Sequence, residues 1–277
     1  MRIIGRLAVA MAAVSLGVCL AQQSSTGPRT LELAPAQPLP FRFEMGAYGS
    51  QLDRGLGTWR GNEAQLWIRS SSRFIPMVGF DNHTRPEGTQ NNYSFFSYMN
   101  WNKSFYTVQG FSVAPQRNPR AVFFPRTRFD VKANWKVPPA RRLVLGAGYT
   151  RFDLGGPVQG QIFNVGAQYY YGKLVVDGNL FINRNQPGDL VSGSGSLTAL
   201  YGREWNYWVG VTAGGGRELY RYIGLGPVDV RRSSYTINTF YRKWLSRHFG
   251  VVFSFDYQNR MDAYRRVGVA SKLFFEF

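Results

Sequence analysis

Enzymatic proton or acyl transfer needs a base beside a nucleophile or an activated water. This sequence of 277 residues offers two histidines for that part, His83 and His248, and one cysteine, Cys19. Asp81 lies two positions before His83 and could orient its imidazole toward a serine of another loop; a solvated loop histidine is the plainer account. His248 follows Leu245-Ser246, a turn-like pair. The strand pattern set out below puts it at the opposite end of the molecule from His83, so the two cannot share a site. No metal-ligand spacing, phosphate-cradling glycine loop or dinucleotide fingerprint is present. Gly214-Gly215-Gly216 closes an extended run and opens no helix, which fits close strand packing or a bend. The expectation is a protein without catalytic residues, metal or cofactor.

The cations are the other residues with chemistry to offer. Lysine and arginine number 33 against 16 acids, a formal net charge of +17. Their placement follows from the elements that carry them. Arg2 and Arg6 precede an apolar run from Leu7 to Leu20 that ends at Ala21, followed by Gln22-Gln23-Ser24-Ser25. That order is a secretory signal peptide, too short in its apolar part for a spanning helix, with cleavage expected after Ala21. Cys19 then leaves with it, and the remaining chain has no disulfide or thiol chemistry. Residues 22–40 are polar and then proline-rich, and read as a flexible periplasmic lead-in. Export also removes nucleic acid from the partners that a basic chain could have.

From Phe41 the period is two. Phe129, Val131, Ala133, Trp135 and Val137 alternate with Arg128, Asp130, Lys132, Asn134 and Lys136; Phe249, Val251, Phe253 and Phe255 alternate with Gly250, Ser254 and Asp256. One face is apolar and the other polar. Aromatics make up 16% of the chain, glycine is abundant, and no later window is apolar for the length of a spanning helix. This is the pattern of an all-β, antiparallel transmembrane barrel, whose strands meet lipid with every second residue. Marking each run gives about fourteen strands: 41–50, 62–71, 73–82, 92–102, 104–114, 126–137, 141–152, 160–171, 174–184, 193–203, 206–217, 233–244, 247–259 and 264–277. The pair at 92–102 and 104–114 has no clean face, which leaves twelve open. Connections alternate between short and longer ones, and the even count places both termini in the periplasm. The last strand ends on phenylalanine, with Leu273, Phe275 and Phe277 on one face. It resembles the C-terminal signal read by the barrel-assembly machinery.

The parity assigns side chains. Lumen-facing candidates are Arg42, Glu44, Arg69, Arg128, Asp130, Lys132, Lys136, Asp177, Arg242, Asp256 and Lys272, joined by Glu63, Arg266 and Glu276; these charges nearly balance. The excess falls in the outer connections, at Arg54, Arg60, Arg85, Arg117, Arg120, Arg217, Arg221, Arg231, Arg232, Arg260 and Arg265. Arginine forks onto phosphate and carboxylate oxygens, so such a rim would take lipopolysaccharide phosphates or an anionic polysaccharide, or simply match lipid headgroups. Trp101, Trp205, Trp208, Trp244, Tyr169, Tyr171, Tyr201 and Phe277 fall near strand ends. They read as an interfacial girdle, with a sugar-stacking path as the alternative.

Ser194-Gly195-Ser196-Leu197-Thr198-Ala199-Leu200-Tyr201, Asn206-Tyr207-Trp208-Val209-Gly210-Val211, Gly214-Gly215-Gly216, Tyr241-Arg242-Lys243-Trp244-Leu245-Ser246 and Tyr257-Gln258-Asn259-Arg260 resemble the YaiO family of outer-membrane β-barrels, over roughly 126–277. The resemblance implies an outer-membrane location and a link to barrels that export surface polysaccharide. Those exporters usually carry helical repeats ahead of the barrel, where this chain has the short lead-in. The expected function is a passive channel or export pore for small anionic or carbohydrate solutes. The rival is a structural or adhesin-like surface barrel with a closed bore.

Overall fold

The computed structural model describes residues 39–116, 118, 121–139, 141–223 and 227–277, with side chains outside 219–231. The expected signal peptide and nearly all of the expected lead-in lie outside the described residues. Fourteen strands follow in order: β1 (Phe41–Leu52), β2 (Thr58–Ile68), β3 (Phe74–Arg85), β4 (Gly88–Asn100), β5 (Phe105–Val113), β6 (Thr127–Lys136), β7 (Leu143–Gly155), β8 (Val158–Tyr171), β9 (Leu174–Gln186), β10 (Leu190–Arg203), β11 (Tyr207–Ile223), β12 (Pro227–Trp244), β13 (Phe249–Arg260) and β14 (Tyr264–Glu276). Each pairs antiparallel with its neighbours in sequence, and β1 closes on β14 from Arg42↔Glu276 to Leu52↔Arg266. Closure leaves no edge, so every strand finds backbone partners on both sides without water, as a membrane requires.

The alternation in sequence becomes two faces of the wall. Met45, Val78, Phe95, Phe129, Leu145, Val165, Leu180, Leu197, Val211, Ile237, Phe253 and Val269 are exposed on the outer face. Their neighbours along the strands turn into the closed barrel, where Arg42, Glu44, Arg128 and Asp177 are buried. The ladder is staggered. A row begun at Met45 passes Ala64, Phe80, Tyr93, Val113 and Thr127 and reaches Asp153, beside the β7–β8 turn. Stagger of this kind is what tilts the strands of a closed barrel, typically by roughly 35–45°.

Phe41 and Phe277 exchange backbone hydrogen bonds of 2.9 and 3.1 Å, so the start of β1 and the end of β14 meet at one end of the barrel, here called the terminal end. The opposite end is the far end. The two strands without a clean face are β4 and β5. Their inner positions include Phe96, Tyr98, Tyr106 and Val108, whereas Ser97, Thr107 and Gln109 point outward and satisfy one another, Ser97 Oγ donating to Gln109 Oε1 at 2.8 Å and Gln109 Nε2 to Thr107 Oγ1 at 2.6 Å.

The expected alternation of short and long connections needs correction. Strands run past their expected ends at the far end, and the described turns there shrink to 53–57, 86–87, 156–157, 187–189 and 261–263. Only 114–126 is longer. Polar runs such as His83-Thr84-Arg85 and Gly88-Thr89-Gln90 look like loop in isolation, yet they pair as a ladder from Asp81↔Asn92 to Arg85↔Gly88. Gly216, within the glycine triplet, lies in β11 opposite Ser194. A Cβ there would fall 2.3 Å from the Cβ of Ser194, so glycine lets these two strands approach.

Candidate functional site

The inner wall of the barrel is the site, and it divides into three regions. At the terminal end, β1 and β14 bring Arg42 beside Glu276, with Arg42 Nε donating to Glu276 Oε1 at 2.6 Å and Arg42 Nη2 to Glu204 Oε1 at 3.0 Å. Arg69 also donates to Glu276 Oε1, at 3.1 Å, and Arg242 forks onto both oxygens of Glu44 at 2.8 and 3.1 Å. Two ion pairs continue this wall: Lys272 with Glu63 at 2.8 Å and Arg266 with Asp256 at 3.1 Å. Trp244 and Phe274 pack edge-to-face under the arginines, the Arg242 guanidinium lying 5.1 Å from the centre of the Phe274 ring. Trp205 and Trp208 pack against them.

The opposite wall, β4 to β9, is made differently. Tyr98 and Tyr106 stack at 4.6 Å, and Tyr106 shares a buried cluster with Val144 and Tyr170. A hydrogen-bonded chain links them to charge: Tyr170 to Gln168, Gln168 to Asp177, Asn179 to Asp177, and Lys132 Nζ to Asn179 Oδ1 at 3.0 Å. Lys136 lies 5.2 Å from the Tyr106 ring centre. Arg128 is spent on Asp130, which Thr150 also bonds at 2.6 Å. Of the inner cations expected from sequence, Lys132 bonds an amide, with the Asp177 carboxylate acting on it from beyond that amide, and Lys136 faces a ring.

The third region is the far end. Residues 121–125, between β5 and β6, fold into the barrel instead of standing over it. Val122 packs on Phe152 and Leu154, with Ile162 beside them, while Phe123 and Phe124 meet His83 on the inner face of β3. Gln90 clasps them: Gln90 Oε1 accepts from the backbone N–H groups of Phe123 and Phe124 at 2.6 and 2.8 Å. Arg85 is sandwiched between the Trp59 and Phe123 rings at 3.7 and 4.4 Å and donates to His83 Nε2 at 2.9 Å. That donation leaves the imidazole proton on Nδ1, which bonds Tyr48. Asp81 bonds Asn92 instead of His83. His248 sits at the terminal end, its Nδ1 3.1 Å from the Glu276 carbonyl oxygen.

The residues expected on the outer rim separate. Arg217 and Arg265 are exposed on the outer face, and Arg54 and Arg60 are exposed as well. Arg85 and Arg260 are corrections, since both turn inward and are buried; Arg260 pairs with buried Glu218, and Arg232 stands opposite Glu218 in the ladder. The side chains of Arg221 and Arg231, and all of Arg117 and Arg120, lie outside the described residues. The girdle also divides. Trp101, Tyr169, Tyr171, Tyr201 and Phe277 are exposed, but Trp244 is buried and belongs to the inner cluster with Trp205 and Trp208. Sequence reasoning passed over Trp59, Gln90, Glu204, Glu218 and the Tyr98–Tyr106–Tyr170 group. The period-two parity carried through the far-end runs would have turned Trp59 and Gln90 inward.

The YaiO membrane beta barrel domain profile matches residues 41–221, so it includes the first ten strands and part of β11. No curated protein matches the sequence. Among solved structures, a bacterial polysaccharide outer membrane secretin is similar at 10% identity and a TM-score of 0.58, over 88% of this chain and 100% of that one. The CymD monoaromatic hydrocarbon channel is similar at 10% identity and a TM-score of 0.58, over 87% of this chain and 89% of that one. At such identity the likeness is one of fold.

Proposed function

This chain belongs to the YaiO family of membrane β-barrels, and from that premise we propose that it is an outer-membrane conduit, a passive channel or export pore for small anionic or carbohydrate solutes. The observation that carries this reading is the inner face itself, where charged and amide side chains run from Arg42 and Arg69 at one end to Gln258 and Arg260 at the other. A polar inner face of this kind can line a water-filled channel, as it does in porins. Stacked tyrosines facing an ionic wall suit a hydroxylated ring, which stacks on one side and hydrogen-bonds on the other. Lys132 and Lys136 are the cations to which an anion would come. On this reading the chain enters the periplasm through its Arg2–Ala21 segment, keeps both termini there, and catalyses no reaction.

One observation favours the second reading, a closed surface barrel. Residues 121–125 are seated on the inner wall from β3 to β8, and the terminal end is crowded with arginine–carboxylate pairs. Swelling of liposomes carrying the refolded protein separates the two. Entry of a pentose and of glucuronate faster than of a trisaccharide supports the conduit; no swelling with any solute, from a protein that shows the gel shift of a folded barrel, supports the closed one.

A further inference from the structure

The two ends of the barrel differ in how acids are mixed among their cations. Every one of the six turns at the terminal end has an exposed cation in it or beside it: Arg73, Lys103, Arg142, Lys173, Arg203 and Arg247. Among the described residues, the acids in those turns or at the strand ends beside them are Glu204 and Glu276, both engaged by Arg42 and Arg69 of the inner wall. The far end is mixed in sign: Asp53, Glu87, Asp189 and Asp262 share its turns with arginines, and Arg184 is paired to Asp189.

The position of the terminal cations identifies what they meet. Five of them lie within two residues of an aromatic ring exposed on the outer face: Arg73 by Phe74, Lys103 by Trp101, Lys173 by Tyr171, Arg203 by Tyr201 and Arg247 by Phe249. Outward aromatics at strand ends sit at the headgroup level of a bilayer. Cations one or two residues beyond them stand at the depth of lipid phosphates, and the ring encircles the barrel as the lipid does.

We propose that this basic rim is a binding surface for the phosphates of anionic phospholipids in the leaflet that the terminal end faces. The lipids hold the barrel at a fixed depth and give its two ends different membrane partners. The inference concerns the outside of the barrel and is independent of whether the bore conducts.

The test is a titration of the full chain in detergent with phosphatidylglycerol or phosphatidylcholine of identical acyl chains, with bound lipids resolved by native mass spectrometry. Phosphatidylglycerol is expected to be retained preferentially, less so as salt rises, and roughly fivefold more weakly for each rim cation replaced among R73Q, K103Q, R142Q, K173Q, R203Q and R247Q. The far-end variant R54Q/R60Q/R217Q/R265Q should keep the wild-type preference. Equal retention of the two lipids, or a loss that follows the far-end variant instead, overturns the proposal. So does displacement of phosphatidylglycerol by dextran sulfate at micromolar concentration, which would assign the rim to a soluble acidic polymer. The salt dependence of the unmodified protein decides the matter even if a variant fails to fold.

Discussion

Arg42 is held by Glu276 and Glu204 with its side chain 5% exposed, and Glu276 beside it is fully covered. Removing one member of a buried ionic group leaves its partner charged and unpaired, at a cost of about 3–5 kcal/mol. Arg42→Met is therefore expected to lower the unfolding free energy in lipid vesicles by about 3 kcal/mol, measured by urea titration, while R42M/E276Q recovers part of the loss. Lys132 and Lys136 should behave oppositely. K132A/K136A is expected to leave stability within about 1 kcal/mol and to reduce anion preference, because Lys132 reaches Asp177 only by way of the Asn179 amide and Lys136 faces the Tyr106 ring. Parity alone was enough to turn Arg42, Arg242 and Lys272 inward. Their partners were not legible, because the register that places residue 42 against 276 depends on closing the barrel, which joins positions at the two ends of the sequence.

At the scale of elements, the far mouth depends on how firmly residues 121–125 are seated. Gln90 accepts from two of their backbone N–H groups and is itself 3% exposed. Gln90→Ala leaves those donors without their partner, a loss of about 1–3 kcal/mol for each group that finds no other. The expected result is faster proteolysis within 114–126 in vesicle-embedded protein, with the rest of the barrel intact and the pore conductance raised. Unchanged cleavage would show that the hydrophobic seat on Phe152 and Leu154 suffices. The strands themselves were readable because lipid imposes a strict two-residue period on each. The inward fold of 121–125 was not, since the buried residues Ala121-Val122-Phe123 follow no strand period and their seat is built by β3, β4 and β7. The far-end turns were overestimated for a related reason, as polar runs like 83–90 acquire strand structure only by pairing with each other.

The whole molecule is a closed wall of fourteen strands with an apolar exterior, and family membership places it among membrane barrels. The family profile ends at residue 221, whereas the likeness seen in the sequence lay over roughly 126–277; the two overlap in 126–221, and β12 to β14 lie beyond the profile. What the wall encloses decides the function: two dissimilar inner faces, one ionic and one of tyrosines and amides, narrowed at the far end by a folded-in segment. Planar-bilayer recording of the refolded protein, with and without an anionic oligosaccharide, measures that enclosure directly. Stable open steps with anion preference, blocked by the oligosaccharide and losing that preference in K132A/K136A, are the predicted result. A folded, heat-modifiable barrel that never conducts would contradict the conduit.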